Sequence, residues 1–373
     1  MKITLARLDE VELELVEPFE TSFGVERKRR FLLLRLETAD GLTGFGECAA
    51  ALHPLYSSES VATAREMLTR HFLPSLLSAP SVTPETFRTG AARFRGHAMA
   101  KATVEAALID LAARSEGRSV AHYLGGRRTR VEVGVSVGIQ RTVPALVRRV
   151  GDYLEDGYRR VKLKVRPGWD DAPVGAVRRE YPDVELWVDA NQAYPTSALD
   201  QIRAWAERHA VAQVEQPFDE RAIRAHAALA RDATFRVCLD ESIVDEVSLE
   251  DALEARAITS LNVKAGRVGG LLTGRALARR AARAHVPAWV GGMLESGVGR
   301  ALNVHLASLK AFRLPGDLSA SRRYYREDLI DPPFELGPGS TLSVPRGPGI
   351  GVTISERRLR RSVRTSQTFR RRG

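Results

Sequence analysis

Five ionisable residues recur along the chain at nearly even steps, and each one ends a short apolar run. They are Lys164, Asp189, Glu215, Asp240 and Lys264, separated by 25, 26, 25 and 24 residues. Such a step accommodates one strand, one helix and two loops. Repeated parallel βα units close into a barrel whose active site lies at the carboxyl ends of the strands. The spacing therefore predicts three carboxylates at one mouth, flanked in strand order by two lysines.

The three carboxylates favour a divalent cation. Asp189, Glu215 and Asp240 offer only oxygen ligands, which suit Mg²⁺ or Mn²⁺ better than zinc or copper. Without a cation, three carboxylates in one pocket would raise one another's pKa. The alternative is that each acid pairs with a lysine or an arginine. Because all three acids stand at the same phase of the repeat, we expect a metal site.

The lysines could serve as bases. Lys162 shares a strand face with Lys164, and Asn191 shares one with Asp189, because side chains alternate along a strand. Lys164 and Lys264 should lie on opposite sides of the pocket, where a nearby cation and low polarity favour the neutral amine. Removing the α-proton of a metal-bound carboxylate would give an enediolate that the cation stabilises. Returning the proton from the opposite face would be racemisation, and losing a β-substituent would be elimination. Alternatively, the lysines only pair with the carboxylates.

The motifs around these residues resemble the enolase superfamily, muconate-lactonising subgroup. They are Lys162-x-Lys164, Asp189-x-Asn191, Glu215-Gln216-Pro217, Asp240-Glu241-Ser242 and Asn262-x-Lys264. A lysine or histidine base paired with Mg²⁺ is a known pattern of that superfamily, and here the resemblance implies it. No histidine stands at a strand end after Lys264, which argues against the mandelate-racemase-like subgroup.

Finer features resemble one branch, the o-succinylbenzoate synthases that are also N-acylamino acid racemases. They are Phe19–Gly24, Pro54–Tyr56, Gly96–Lys101, Gly168–Asp170, Gly291–Gly299 and Leu314–Asp317. The resemblance implies that Lys164 is the base in a dehydration that forms o-succinylbenzoate for menaquinone synthesis. Lys264 would stabilise the anion or act as the second base in racemisation, and Lys162 would neutralise the substrate carboxylate. An N-acylamino acid or N-succinylamino acid racemase is the alternative activity.

The resemblance also implies a set of substrate contacts. We expect substrate to be bound by Lys162, Asn191, Ser136, Phe19, Phe23, Tyr56, Gly292, Met293 and Leu294. The aromatic residues of this set would close over the substrate, or else belong to the core of the cap. Glu241 and Arg267 would support the site, Arg267 by tuning Lys264 or by pairing with an acid. Leu318 stands where a small polar residue is common, and it could touch the succinyl or acyl end.

The distribution of the 25-residue repeat along the chain predicts an α/β fold with two parts. Residues 1–125 lack the 25-residue repeat and should form an α+β capping domain. Residues 130–322 should form a modified TIM barrel, (β/α)7β-like, with an irregular eighth element. Residues 323–356 should pack back on the cap.

Composition and charge indicate an ordinary soluble globular protein. The 373 residues are 44% hydrophobic and 27% charged, with no apolar run long enough for a membrane span and no signal peptide. We therefore expect a cytoplasmic protein, and the resemblance implies a small carboxylate substrate and a homo-oligomer. The net charge of +10 comes mostly from eight arginines in residues 357–373. We expect these residues to be a frayed, solvated tail, with nucleic-acid binding as a remote alternative.

Overall fold

The capping domain is built on an antiparallel sheet that joins both ends of the chain. The structure, a computed structural model, describes residues 1–372. The four strands of this sheet are β1 (Ile3–Thr21), β2 (Gly24–Thr38), β3 (Thr43–Cys48) and β13 (Val363–Arg370). They lie in the order β13-β1-β2-β3. Strands β1 and β2 form one long hairpin that turns between Thr21 and Gly24, and this hairpin extends over the barrel.

Helices cover one face of the cap sheet. They are α1 (Val61–Met67), α2 (Leu73–Ser78), α3 (Pro84–Ala91), α4 (Ala98–Ser115) and α5 (Val120–Leu124), with a π-helical segment (Leu68–Phe72) between α1 and α2. A buried apolar cluster that includes Ile3, Leu34 and Leu108 fills the space between sheet and helices. Helix α4 packs very close to β3, since a Cβ on Gly46 would stand 2.0 Å from the Thr103 carbonyl oxygen.

The second domain is a barrel of seven parallel strands. Its strands are β5 (Val135–Val137), β6 (Arg160–Lys164), β7 (Glu185–Asp189), β8 (Gln213–Glu215), β9 (Arg236–Leu239), β10 (Ser260–Val263) and β11 (Ala288–Val290), adjacent in that order. The intervening and following helices are α6 (Val143–Glu155), α7 (Asp171–Glu180), α8 (Leu199–Arg208), α9 (Ile223–Ala230), α10 (Glu246–Glu254), α11 (Leu271–Arg283) and α12 (Gly297–Ala307). Short 3-10 turns, Thr196–Ala198 and Ser321–Arg323, precede α8 and follow the barrel.

An irregular segment takes the place of an eighth strand, as the sequence predicts. Phe312 bridges to Ala288 beside β11, and Gly316 bridges to Val133 beside β5. The segment thus links the first and last strands of the sheet. The predicted (β/α)7β-like barrel with an α+β cap is confirmed.

Residues 323–356 contact both domains. Strand β12 (Thr341–Ser343) pairs with β4 (Arg130–Glu132) ahead of the first barrel strand. The Ile350 amide donates to Asp110 of cap helix α4 at 2.8 Å. None of the helices within residues 1–372 combines the length and apolar character that crossing a membrane requires.

The C-terminal residues correct one expectation. Residues 357–373 were expected to be a flexible tail, but helix α13 (Glu356–Ser362) and strand β13 occupy nearly all of them. Strand β13 pairs antiparallel with β1 from Val363 to Arg370. The expectation fails because an edge strand is held by backbone hydrogen bonds and needs few apolar side chains. Acids on β1 supply charge partners as well, since Arg364 pairs with Glu12.

Deleting residues 363–373 should destabilise the cap, because the outer edge of β1 would lose its hydrogen-bond partners. Each lost backbone bond is worth about 0.5–1.5 kcal/mol, and regained chain entropy offsets part of that. We expect the melting temperature followed by circular dichroism to fall by several degrees, with self-association through the exposed edge. Deletion of residues 372–373 alone is the control. An unchanged melting temperature in the longer deletion would contradict the pairing.

Candidate active site

Neighbouring barrel strands bring the predicted residues together at their carboxyl ends. Lys164 pairs in register with Asp189, and Asp189 with Glu215. Asp240 and Lys264 follow directly after β9 and β10. All five are buried, with at most 8% of each residue exposed. The even spacing along the sequence thus corresponds to one cluster in space.

Each of the three carboxylates is neutralised by an ammonium group. The contacts are Lys164 Nζ to Asp189 Oδ2 at 2.6 Å, Lys162 Nζ to Glu215 Oε2 at 2.6 Å and to Asp189 Oδ2 at 3.1 Å, and Lys264 Nζ to Asp240 Oδ2 at 2.6 Å. This is the ion-paired arrangement that the sequence left open as the alternative. Within residues 1–372, no group of three Asp, Glu, His or Cys side chains is arranged around a common metal position.

The ion pairs determine the protonation states in the cluster. Burial opposes ionisation of Asp189, but Lys164 and Lys162 outweigh it and hold the Asp189 pKa below its usual range. Burial and the neighbouring Asp189 raise the pKa of Glu215. Burial alone would lower the pKa of Lys264, yet Tyr56 and nearby carboxylates raise it. Without a cation at the site, the pairing therefore favours the charged form of Lys264 and not the neutral amine that a base requires.

Two asparagines connect the charged groups. Asn191 accepts from Lys164 Nζ at 2.6 Å and donates to Glu241 Oε1 at 3.0 Å. Asn262 donates to Glu215 Oε1 at 2.6 Å. Burial, followed by the charge of Asp189, raises the pKa of Glu241 to about 7. In the sequence, Asn262 stands out only within the motif Asn262-x-Lys264 and not as a predicted site residue. The two-residue offset between Asn262 and Lys264 is the signal that both side chains face inward.

A further acid, Asp317, joins the cluster from the irregular segment. Its Oδ2 lies 2.6 Å from Lys162 Nζ, and its Oδ1 lies 2.5 Å from Arg160 Nη1. Lys162, expected to neutralise a substrate carboxylate, is thus itself surrounded by acids. The sequence analysis did not single out Asp317 as a site residue, because no strand period runs through this segment, although Asp317 ends the Leu314–Asp317 motif.

Arg267 and Tyr56 support Lys264 and Asp240 from the side. The Arg267 guanidinium donates to Asp240 Oδ1 through Nη1, and to the Asn262 carbonyl oxygen at 2.6 Å. Tyr56 Oη donates to Asp240 Oδ1 at 3.0 Å and accepts from Lys264 Nζ at 3.2 Å. Of the two roles expected for Arg267, pairing with an acid is the one seen in the contacts. Tyr56, expected to cover the substrate, also touches a lysine of the site.

The cluster forms the floor of a cavity of about 300 Å³ between barrel and cap. Twelve predicted residues line it: Phe19, Phe23, Tyr56, Ser136, Lys162, Lys164, Asp189, Asn191, Lys264, Gly292, Met293 and Leu294. The other four, Glu215, Asp240, Glu241 and Arg267, are buried outside the lining. Leu318 also does not line the cavity, because its side chain packs in the barrel core. The expectation that Leu318 touches the acyl end is therefore not met.

The cap hairpin forms one wall of the cavity. Ser22 Oγ donates to the Asn191 carbonyl oxygen at 3.3 Å, and the Ile139 amide donates to the Glu20 carbonyl oxygen at 2.9 Å. The rings of Phe23 and Tyr56 lie 6.5 Å apart above the lysines. The hairpin also brings the basic run 27–30 to the cavity wall, which the sequence analysis did not anticipate.

Comparison with known proteins agrees with both parts of the fold. Residues 145–358 match the family described as Enolase C-terminal domain-like. Residues 2–125 match the Mandelate racemase / muconate lactonizing enzyme, N-terminal domain. A crystal structure of an enolase superfamily member from Listeria innocua superposes with a TM-score of 0.94, at 36% identity, covering 100% of both chains.

Named proteins are also similar to this chain, over nearly the whole length of both sequences. The N-succinylamino acid racemase of an Amycolatopsis species is 46% identical over 94% of this chain and 95% of its own length. The o-succinylbenzoate synthase of Enterococcus faecalis is 40% identical over 96% of this chain and 97% of its own length. These matches confirm the resemblance drawn from the motifs. The chain belongs to the enolase superfamily, with the two-domain organisation of the mandelate racemase and muconate-lactonizing enzymes.

Proposed function

We propose that this enzyme is an o-succinylbenzoate synthase, a hydro-lyase that dehydrates 2-succinyl-6-hydroxy-2,4-cyclohexadiene-1-carboxylate to o-succinylbenzoate in menaquinone biosynthesis. The observation that carries the proposal is that Lys164 and Lys264 enter one cavity from β6 and the end of β10, with three carboxylates at the ends of the strands between them. Relatives named o-succinylbenzoate synthase, from 34% to 40% identical, support this choice of reaction.

The donor set fits Mg²⁺, or Mn²⁺ in its place. Asp189, Glu215 and Asp240 would hold the ion, and all three offer oxygen only. Two buried acceptors close to them, Glu241 Oε2 and Asn262 Oδ1, have no hydrogen-bond partner within residues 1–372, which is unusual for buried polar atoms and marks spare acceptor capacity. When bound, the ion would supply positive charge where the enediolate forms. For the ion to bind, the lysine ammonium groups must move away from the carboxylate oxygens that they contact.

The lysines carry out the proton chemistry. Lys164 Nζ removes the proton from the ring carbon that bears the carboxylate, once its 2.6 Å contact with Asp189 is released. The ammonium form of Lys164 then returns this proton to the hydroxyl on the neighbouring carbon, whose C–O bond breaks to release water as the ring becomes aromatic. Lys264 lies across the cavity as an ammonium group, held by Tyr56 and Asp240. Its charge faces the anion that forms.

The remaining lining residues bind and enclose the substrate. Lys162 attracts the substrate carboxylate, and Asn191 keeps Lys164 in place through their hydrogen bond. Substrate contacts come from Ser136 and Gly292 to Leu294 on the barrel, and from Phe19, Phe23 and Tyr56 on the cap. Beneath them, Glu241 and Arg267 hold Asn191 and Asp240. Closure by the aromatic residues excludes water from the anionic intermediate.

The second candidate function is racemisation of N-succinylamino acids or other N-acylamino acids. Two relatives at 46% and 45% identity are named N-succinylamino acid racemase. Racemisation needs one base on each face of the substrate, and Lys164 and Lys264 meet that need. Both reactions begin with removal of the proton next to a carboxylate, so one site can support either.

A side-by-side assay with Mg²⁺ tests the proposal. The purified protein is given the cyclohexadiene precursor and, separately, an N-succinylamino acid of one hand. We expect kcat/KM for dehydration to exceed that for racemisation. Faster racemisation would favour the second candidate, and the absence of both activities in metal-loaded protein would contradict both.

Replacing each lysine separates the two reactions. Lys164→Ala should lower dehydration by about 10²–10⁴-fold, the range lost with a general base. In the racemase assay each lysine variant should still exchange the α-proton of one substrate hand in D₂O, because the opposite base remains. Proton NMR of both hands with Lys164→Ala and Lys264→Ala measures this. Exchange of both hands by both variants would exclude the two-base arrangement.

Metal dependence can be checked without turnover. We expect wild-type protein to bind one Mn²⁺ per chain, followed by electron paramagnetic resonance, and Mg²⁺ to compete. Asp240→Asn should weaken that binding at least tenfold, because a charged ligand is lost. Glu185→Gln, at the opposite end of β7, is the control. Equal binding by the two variants would exclude Asp240 as a ligand, and activity that survives chelation would contradict the Mg²⁺ requirement.

A further inference from the structure

The loop between β11 and α12 contains a strained residue that lines the cavity. Leu294 has a φ of +58°, in the left-handed region that residues with a Cβ rarely adopt. Gly292, Met293 and Leu294 all line the cavity. Strained conformations at a site persist only where the surrounding structure holds them, so the contacts that hold this loop bear on its function.

Three side-chain contacts hold the loop, one from within it, one from helix α12 and one from the C-terminal segment. Glu295 Oε2 accepts from the Met293 amide at 2.7 Å. Tyr325 Oη donates to the Leu294 carbonyl oxygen at 2.5 Å. Arg300 Nη2 donates to the Glu295 carbonyl oxygen at 2.9 Å. Each residue from 293 to 295 thus has its backbone fixed by a side chain.

A fourth contact comes from the other domain. Glu47, on cap strand β3, accepts from the Ser296 amide at 2.9 Å, from Ser296 Oγ at 2.5 Å and from the Gly299 amide at 3.0 Å. A carboxylate here also meets the positive end of helix α12. A Cβ on Gly299 would stand 2.8 Å from Glu295 Cβ and 3.0 Å from Glu47 Cδ. Only glycine lets the helix start fit between the two acids.

We infer that Glu47 is a positioning residue that lets the docked cap determine which substrates the barrel accepts. Through Ser296 it fixes the end of the loop, and the loop in turn places Leu294 against the substrate. Leu294 then selects substrates by the size of the group that contacts it. In an N-acylamino acid, that group would be the side chain. The identity of that group rests on the proposed function, whereas the restraint on the loop does not.

A purely structural role for Glu47 is the competing explanation, and the chain offers a matched control. Glu59 is also a buried cap carboxylate at a helix start, where it accepts from the Met99 and Ala100 amides at 2.7 and 2.8 Å. Those amides belong to cap helix α4. Glu59→Gln therefore removes a comparable helix cap without touching the loop.

The test compares Glu47→Gln and Glu59→Gln by amide hydrogen exchange without substrate. The decisive amide is that of Met293, because it bonds to Glu295 and not to Glu47. We expect its exchange to quicken at least tenfold in Glu47→Gln and to stay unchanged in Glu59→Gln. Faster exchange at Ser296 and Gly299 alone would overturn the inference and leave Glu47 as a simple helix cap. If Glu47→Gln does not fold, Ser296→Ala takes its place; it removes the bond from Ser296 Oγ to Glu47 together with the helix-capping bond from the Val298 amide to Ser296 Oγ.

Substrate selection supplies the second measurement. With a series of N-succinylamino acids, Glu47→Gln should lower the preference between small and large side chains at least fivefold, through KM more than kcat. Glu59→Gln should keep the wild-type preference. An unchanged preference in Glu47→Gln would overturn the inference. If the wild-type protein acts on none of these compounds, the racemase candidate fails, and the exchange at Met293 still decides whether Glu47 restrains the loop.

Discussion

Mutual neutralisation of buried charge at the barrel mouth is the constraint on which the rest of this site depends. Ten ionisable side chains, each at most 8% exposed, meet there: Asp189, Glu215, Asp240, Glu241 and Asp317 against Arg160, Lys162, Lys164, Lys264 and Arg267. An isolated buried charge is costly, and removing one member of a buried pair leaves its partner uncompensated. With all ten charged, the formal sum is zero. An anionic substrate would upset that balance if it entered alone, so a carboxylate substrate and a divalent cation suit this cluster as a combination.

The parallel strands of the barrel are what allow such a cluster to form. The strand register places Lys164, Asp189 and Glu215 side by side, and Asp240 and Lys264 follow directly after the next two strands. Apolar residues such as Val188 and Val214 face the surrounding helices. Below the charges, Trp187, Cys238 and Trp289 fill the barrel interior. The Arg160 guanidinium lies 4.3 Å from the Trp187 ring centroid, so aromatic rings as well as carboxylates stabilise the buried cations.

Much of the fold and the positions of most residues of the candidate site could be predicted from the sequence, because both follow the βα period. Lys164 and Asp189 are found by counting residues. The parts that escaped prediction depend on contacts with no period. Asp317 comes from an irregular segment, Glu47 from the other domain, and the pairing of lysines with acids depends on distances that spacing cannot give. The prediction of a flexible C-terminal tail is wrong because a low content of apolar residues does not imply disorder. Strand β13 is instead held by pairing with an existing sheet edge.

The pairing of β13 with β1 has a consequence for how the chain folds. Leu5 lies opposite Arg370, so the sheet joins β1, which precedes the whole barrel in sequence, to β13, which follows it. Until β13 is available, the outer edge of β1 remains unpaired, and all the barrel residues lie between these two strands in sequence. Closing so long a loop costs little more entropy than closing a shorter one, but contacts so distant in sequence form slowly. The barrel can thus be assembled before the outer edge of the cap sheet is completed.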